Sequence, residues 1–247
     1  MPSRMAAPRR SVAGALAITA ALGLSVAVAQ SAAADVRVAR QQLVAVLSTD
    51  HTVWQRPDGE RLAVVVSALR PITHEATVLP VLRQTVDSAG RSWLLVRLPG
   101  RTLGSPSPPS TGWIASPGTQ LRATPWHIVV DLAARELTVY NDGHAVRRFS
   151  AIVGKPTTPT PVGQYFVEED VVMTAGAAGG PFALATSDRS DVLKEFDGGP
   201  GQIAIHGLNE LGGQLGTAES HGCVRLSDAN VTWLAAHAGA GTPVTIE

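Results

Sequence analysis

Ser220-His221-Gly222-Cys223-Val224-Arg225 gathers a hydroxyl, an imidazole, a thiol and a guanidinium in one short segment. A second histidine, His206, ends the run Ile203-Ala204-Ile205-His206, with 13 residues between it and Ser220. If residues 221–225 are extended, side chains two apart project to the same side, so His221, Cys223 and Arg225 share a face. Such a trio suits covalent acyl transfer. A thiol of pKa about 8.5 is only roughly 3% thiolate at pH 7, so a neighbouring base or cation can raise the reactive fraction about thirtyfold. That gain is only about 2 kcal/mol. Oxyanion donors supply about 3 to 4 kcal/mol each, and amide cleavage also needs an acid for the leaving amine. Gly222, without a side chain, lets backbone N–H groups approach a developing oxyanion. His221 fits the base that takes the thiol proton and returns it to the amine. His206 is left either to complete the oxyanion pocket or to handle the proton of an incoming nucleophile.

Two blander readings compete. His206, His221 and Cys223 are zinc-ligand types, but the close His-x-Cys pair and the lack of a fourth ligand count against a metal centre. A lone cysteine is most often a buried apolar residue, yet here its neighbours are polar or small.

The elements that must position these groups read as strands and turns. His127 to Leu132 and Glu136 to Tyr140 flank a short turn, and Asn141-Asp142-Gly143 is a strong hairpin signal leading into Ala145 to Val153. The glycines and prolines of Gly154 to Gly163 preclude regular structure there, and Gln164 to Val172 resumes as a strand. Helix is expected at Ser187 to Phe196 and at Asp228 to Ala238, the latter capped by Ser227 or Asp228 and stopped by Gly239. Glu168-Glu169-Asp170 reads as a solvated strand end. Met173 to Gly180 reads as a flap or an ordinary loop, and Tyr165, Phe182 and the Thr157–Gly163 loop as cleft walls. Trp233 reads as a core anchor. The remaining histidines, His51, His74, His127, His144 and His237, have no partner motif.

Gly154-Lys155-Pro156, Pro159-Thr160-Pro161-Val162-Gly163, Ile205-His206-Gly207 and Ser220-His221-Gly222-Cys223-Val224-Arg225 together resemble the catalytic domain of the L,D-transpeptidases, the YkuD family, over residues 125–247. The resemblance implies a mainly β fold: a sandwich-like catalytic domain with one or two helices and a cysteine cleft. It implies Cys223 as nucleophile, His221 as its base and His206 as a second active-site histidine. Ser220 and Gly222 would orient the base and help form the oxyanion hole. Arg225 would settle the thiolate or a substrate carboxylate, although some relatives carry Asn at that position. The implied reaction joins donor and acceptor stem peptides of peptidoglycan. Cys223 attacks the carbonyl of the third stem residue, expels D-alanine as a thioester forms, and a neighbouring side-chain amine resolves it into a 3–3 cross-link. Water in place of the amine makes an L,D-carboxypeptidase. The resemblance implies no metal and no organic cofactor, and it implies acylation by carbapenem-type inhibitors.

Upstream, Arg61 to Ala68, Ala76 to Leu82 and Ser92 to Leu98 are short Val- and Leu-rich runs closed by turn residues. A Ser/Pro-rich stretch, Gly104 to Gly112, reads as a long loop, because prolines remove ladder donors. Trp93-Leu94-Leu95-Val96-Arg97 followed by Gly112-Trp113-Ile114 resembles bacterial SH3-like domains, implying a small β-barrel over residues 36–120. That module is either an accessory fold or a contact to the cell wall, and a non-catalytic wall-binding protein is the corresponding alternative for the whole chain.

Residues 1–34 read as a signal peptide. Arg4, Arg9 and Arg10 precede an uncharged run from Val12 to Ala29, seven of whose 18 residues are Ala, and Ala32-Ala33-Ala34 offers a cleavage site. A retained membrane anchor is the competing reading. Export to the cell wall or the outer face of the membrane follows from either. The 247-residue chain has 20 basic and 20 acidic residues. The leader holds three arginines and no acid, so the remainder has 17 bases against 20 acids, a charge of −3. That balance, with 4% aromatic residues, argues against a nucleic-acid partner. A single cysteine excludes an internal disulfide, and outside the cytosol an unpaired thiol is more in keeping with chemistry than with structure.

Overall fold

Short runs of Val and Leu closed by Gly, Pro or Asp favour paired strands, and the computed structural model of the chain is mainly β. It describes Met1 and residues 38–100, 109–196 and 199–247. Beyond Met1, the expected leader over residues 1–34 lies outside the described residues, as do residues 101–108 of the Ser/Pro-rich loop region.

Strands β1 (Gln42–Leu47), β2 (His51–Trp54), β3 (Arg61–Val66), β4 (Val78–Val86), β5 (Ser92–Arg97), β6 (Thr111–Ala115) and β7 (Thr119–Thr124) form one sheet in the order β3-β2-β6-β5-β4-β1-β7. Its buried side chains include Ala45, Val53, Leu79, Leu94, Val96 and Ile114. Trp93 is buried too, and its Nε1–H donates to Asp87 Oδ2 at 2.7 Å.

After Pro125 come β8 (Trp126–Asp131), β9 (Glu136–Asn141), β10 (His144–Ser150), β11 (Val153–Gly154), β12 (Gly163–Val172) and β13 (Phe182–Arg189). The chain continues through β14 (Glu195–Phe196), β15 (Gly199–Pro200), β16 (Gln202–His206), β17 (Ala218–Ser220), β18 (Val224–Arg225), α1 (Asp228–Ala235) and β19 (Pro243–Ile246). Eight of these strands form the second sheet, in the order β10-β9-β8-β19-β12-β13-β16-β18. Asp142 and Gly143 take the positive φ values, 50° and 77°, that a two-residue hairpin turn requires. Helix α1 packs Val231 and Leu234 into the core and is capped by Ser227, which accepts the Asn230 N–H.

Two expectations fail here. Ser187 to Phe196 is not helical: its first residues complete β13, where pairing with β12 and β16 on either side outweighs local helix propensity. Glu168-Glu169-Asp170 is no solvated strand end. The three lie inside β12, with Glu168 6% and Glu169 1% exposed.

The position of β12 explains that burial. Phe166 packs into the core of the first sheet, while its neighbour Val167 packs into the core of the second. Glu169 Oε2 then accepts the Ile72 N–H (3.0 Å), the Thr73 N–H (2.9 Å) and the Thr73 hydroxyl (3.2 Å), all from the segment between β3 and β4. One Glu168 oxygen accepts the Gly100 N–H just after β5, and Arg97 donates to the Gln164 carbonyl at 2.8 Å. Residues 37–247 accordingly form one compact unit.

Candidate active site

Alternation along β16 sorts its side chains. Ile203 and Ile205 enter the core at 2% and 1% exposure, leaving Gln202, Ala204 and His206 on the opposite face. Strand β18 pairs parallel to β16 with Val224 opposite Ile205 and Arg225 opposite His206. Val224 is buried in the same core, so Cys223 and Arg225 join His206 on the outer face. These residues line a cleft of about 670 Å³ together with His221, Gln202, Ser190 and Leu193, and with Met173, Ala178 and Gly179 of the expected flap. That volume suits a peptide-sized segment.

The turn before Cys223 is built from its own polar groups. Ser220 is fully buried; its hydroxyl donates to the Cys223 carbonyl at 2.6 Å and accepts the Gly222 N–H at 3.1 Å. Gly222 has φ 125°, a backbone conformation that disfavours any side chain, and a Cβ there would stand 2.8 Å from Ile203 Cδ1. Its N–H donates to the Ser220 hydroxyl, and Gly222 shapes the turn. Ser220 likewise braces the turn.

A second loop clamps the first. Thr160 donates to the Gly222 carbonyl at 2.7 Å and accepts the Gly154 N–H at 2.9 Å. Thr158 donates to the Ser220 carbonyl at 3.2 Å, which also accepts the Lys155 N–H at 3.0 Å. The Thr157–Gly163 loop is therefore a support beneath the Ser220–Cys223 turn, with Thr158 and Thr160 buried, and not the cleft wall expected of it. Tyr165 and Phe182 pack at the edge of the core instead of lining the cleft.

The two histidines differ. His206 is half-buried, and its Nδ1 lies 2.8 Å from the Gly207 carbonyl. A carbonyl only accepts, so Nδ1 carries the proton and Nε2 is the basic nitrogen. Burial first, and the Arg225 charge after it, hold the His206 pKa below its ordinary value, against the Gly207 hydrogen bond. The loop beyond is held by Asp228, which accepts the Leu208 and Asn209 N–H groups at 2.8 and 3.2 Å. Gly207 is obligatory there, since a Cβ would run into the Gly180 carbonyl. His221, by contrast, is exposed at the cleft mouth, and its Nε2 lies 3.2 Å from Lys155 Nζ. An ammonium can only donate, so that imidazole nitrogen is already occupied. The same cation works against a divalent metal on His221.

Burial pushes the Cys223 thiol up; the Ala204 N–H and Arg225 pull it down, and buried Asp188 pushes it up again. The raised thiol and the lowered imidazole both work against a preformed thiolate–imidazolium pair. Among the described residues, Arg225 Nε is buried with no hydrogen-bond partner. Spacing alone had not singled out Asp188 or Gln202. Their signals are long-range pairings, which no short motif carries.

A family profile for the L,D-transpeptidase catalytic domain, YkuD, matches residues 125–246. Residues 125–246 belong to that family. This L,D-transpeptidase domain is 32% identical over 122 residues to YkuD of Bacillus subtilis (strain 168), covering 49% of this chain and 66% of that protein. It is 30% identical over 128 residues to L,D-transpeptidase 1 of Mycobacterium tuberculosis (strain ATCC 25618 / H37Rv), covering 48% and 49%. The chain thus spans about half to two thirds of the length of these relatives. Among solved structures, an L,D-transpeptidase from Mycobacterium smegmatis aligns with 68% of this chain and 99% of its own at 20% identity and TM-score 0.38. The L,D-transpeptidase LdtMt1 in complex with imipenem aligns with 69% and 91% at 19% identity and TM-score 0.41. All six candidate residues, His206, Ser220, His221, Gly222, Cys223 and Arg225, fall within the L,D-transpeptidase domain.

Proposed function

We propose that this chain is an exported, cysteine-dependent L,D-transpeptidase that cross-links peptidoglycan stem peptides. The observation that carries the reading is that Cys223 and His206, the latter with its Nδ1 on the Gly207 carbonyl, line one face of the same cleft. His206 rather than His221 is the base. Its Nδ1–H is fixed on the Gly207 carbonyl, so Nε2 is turned into a proton acceptor, whereas Nε2 of His221 takes the Lys155 ammonium. As sulfur attacks the carbonyl of the third stem residue, a diamino acid, the thiol proton passes to His206. The C–N bond to D-alanine then breaks, the imidazolium protonates the departing amine, and a thioester remains. A side-chain amine of a second stem attacks the thioester, gives its proton to His206, and leaves a 3–3 cross-link and the restored thiol. Arg225 disfavours imidazolium at His206 and favours thiolate at Cys223.

Cell-wall contact by the first sheet, and export by the leader, belong to the same reading. Cys223→Ala is expected to abolish D-alanine release from a tetrapeptide stem in protein that still folds; turnover by that variant refutes the mechanism. Intact mass should show wild-type protein gaining one imipenem. Donor and acceptor stems supplied together should yield dimeric stem, while free tripeptide alone marks the chain as a carboxypeptidase.

A further inference from the structure

Gln202 stands on the cleft face of β16, two residues before Ala204 and four before His206. Its Nε2 donates to the Thr186 carbonyl at 2.6 Å and to Glu168 Oε2 at 3.0 Å. A primary amide has two N–H donors and one oxygen. Both donors are thus committed inside the protein, and the unspent capacity of the side chain is to accept. Glu168, buried in β12, cannot turn away, because its other oxygen holds the Gly100 N–H. Beside Gln202, Ser190 has the reverse capacity. Its N–H donates to the Gly201 carbonyl, and its oxygen accepts the Val192 and Leu193 N–H groups at 3.3 and 2.9 Å, so its hydroxyl proton is left to donate. Leu193 adds apolar surface to the same wall.

An acceptor next to a donor, on an apolar wall leading to the nucleophile, matches the N–H and C=O of an extended peptide. We infer that Gln202 and Ser190 form a peptide subsite in which Gln202 Oε1 accepts a backbone N–H of the stem peptide, with Glu168 the positioning residue that aims Gln202. This rests on the proposed stem-peptide reaction and extends it: the segment after β5 reaches the cleft wall through Gly100, Glu168 and Gln202.

The test uses the full chain and a tetrapeptide stem. Gln202→Met keeps length and removes the acceptor. Glu168→Gln keeps volume, but one amide oxygen cannot serve both the Gly100 and Gln202 donors, so Gln202 loses its orientation. Each variant should raise KM about tenfold, the worth of one hydrogen bond of about 1.4 kcal/mol, with kcat falling far less. The double variant should match the single ones, because both remove the same contact. An unmoved KM in Glu168→Gln, or a hundredfold rise in the double variant, overturns the inference while leaving the mechanism standing. Wild-type protein that neither releases D-alanine nor gains imipenem overturns both.

Discussion

Replacing Thr160 by Val tests whether the loop beneath the catalytic turn holds that turn in place. The two side chains have nearly the same shape, so the substitution removes a hydroxyl and little else. Thr160 is 2% exposed, and its hydroxyl joins the Gly222 carbonyl (2.7 Å) to the Gly154 N–H (2.9 Å). Each buried polar group left without a partner costs about 1 to 3 kcal/mol. Gly222 is buried and Gly154 only half-buried, so the carbonyl bears the larger share and the sum is about 2 to 4 kcal/mol. Urea denaturation should therefore show a lower midpoint at unchanged slope. Thr160→Ser keeps the hydroxyl and loses one methyl, worth about 1 kcal/mol. It should sit between wild type and Val. Imipenem acylation should slow in Thr160→Val and stay near wild type in Thr160→Ser, because only the former frees Gly222 from its φ of 125°. If Thr160→Val lies within about 0.5 kcal/mol of wild type, or if Ser is the more damaging change, the clamp is not what holds the turn.

Two further outcomes follow from the buried acids. Glu169→Ala strips the Ile72 and Thr73 amides of their acceptor; a loss of about 3 kcal/mol is expected, with faster hydrogen exchange at those two amides, and unchanged exchange would disprove the anchoring. Burial raises the carboxyl pKa of Glu168 to about 7 and of Asp188 to about 8. The native state then holds these protons more tightly than the unfolded chain, so their stabilisation is complete below the ordinary carboxylate range and is lost as pH rises through 7 and 8. The lowered pKa values of His127 and His206 act in the opposite sense, but only below about 6.5. The urea midpoint should accordingly fall between pH 6.5 and 8.5, and less so in Asp188→Asn; a midpoint that rises over that range contradicts the assignment.

What was legible in the sequence was what local pattern can carry. The Asn141-Asp142-Gly143 turn, the Ser227 cap and the sorting of Cys223 and Arg225 to one face each depend on residues close in sequence. The different surroundings of the two histidines were not legible. The proximity of His221 to Cys223 in sequence suggested a base, but what distinguishes them is the Gly207 carbonyl on one ring and the Lys155 ammonium, 66 residues away, on the other. Gly222 shows the same limit: its type announced a special backbone, while the destination of its N–H depended on how the Ser220 hydroxyl turned. Ser187 to Phe196 misled because helix propensity is weak beside two neighbouring strands.

The acidic run in β12 carries the largest lesson, because charge alone placed it in solvent. A strand edge with three consecutive acids is expected to repel any covering layer, yet Phe166 and Val167 immediately before it bind two different cores. Once those two side chains are buried on opposite faces, the backbone carries Glu168 and Glu169 between the layers whatever their charge. Their carboxyl groups must then find donors there, and backbone N–H groups at Ile72, Thr73 and Gly100 supply them. The cost of burial is visible in the raised pKa of Glu168. Apolar residues of the same size could fill that space more cheaply, as is often so for buried charges. Only a carboxylate, however, could accept the Gly100 and Gln202 hydrogen bonds at once and so tie the first sheet to the wall of the catalytic cleft.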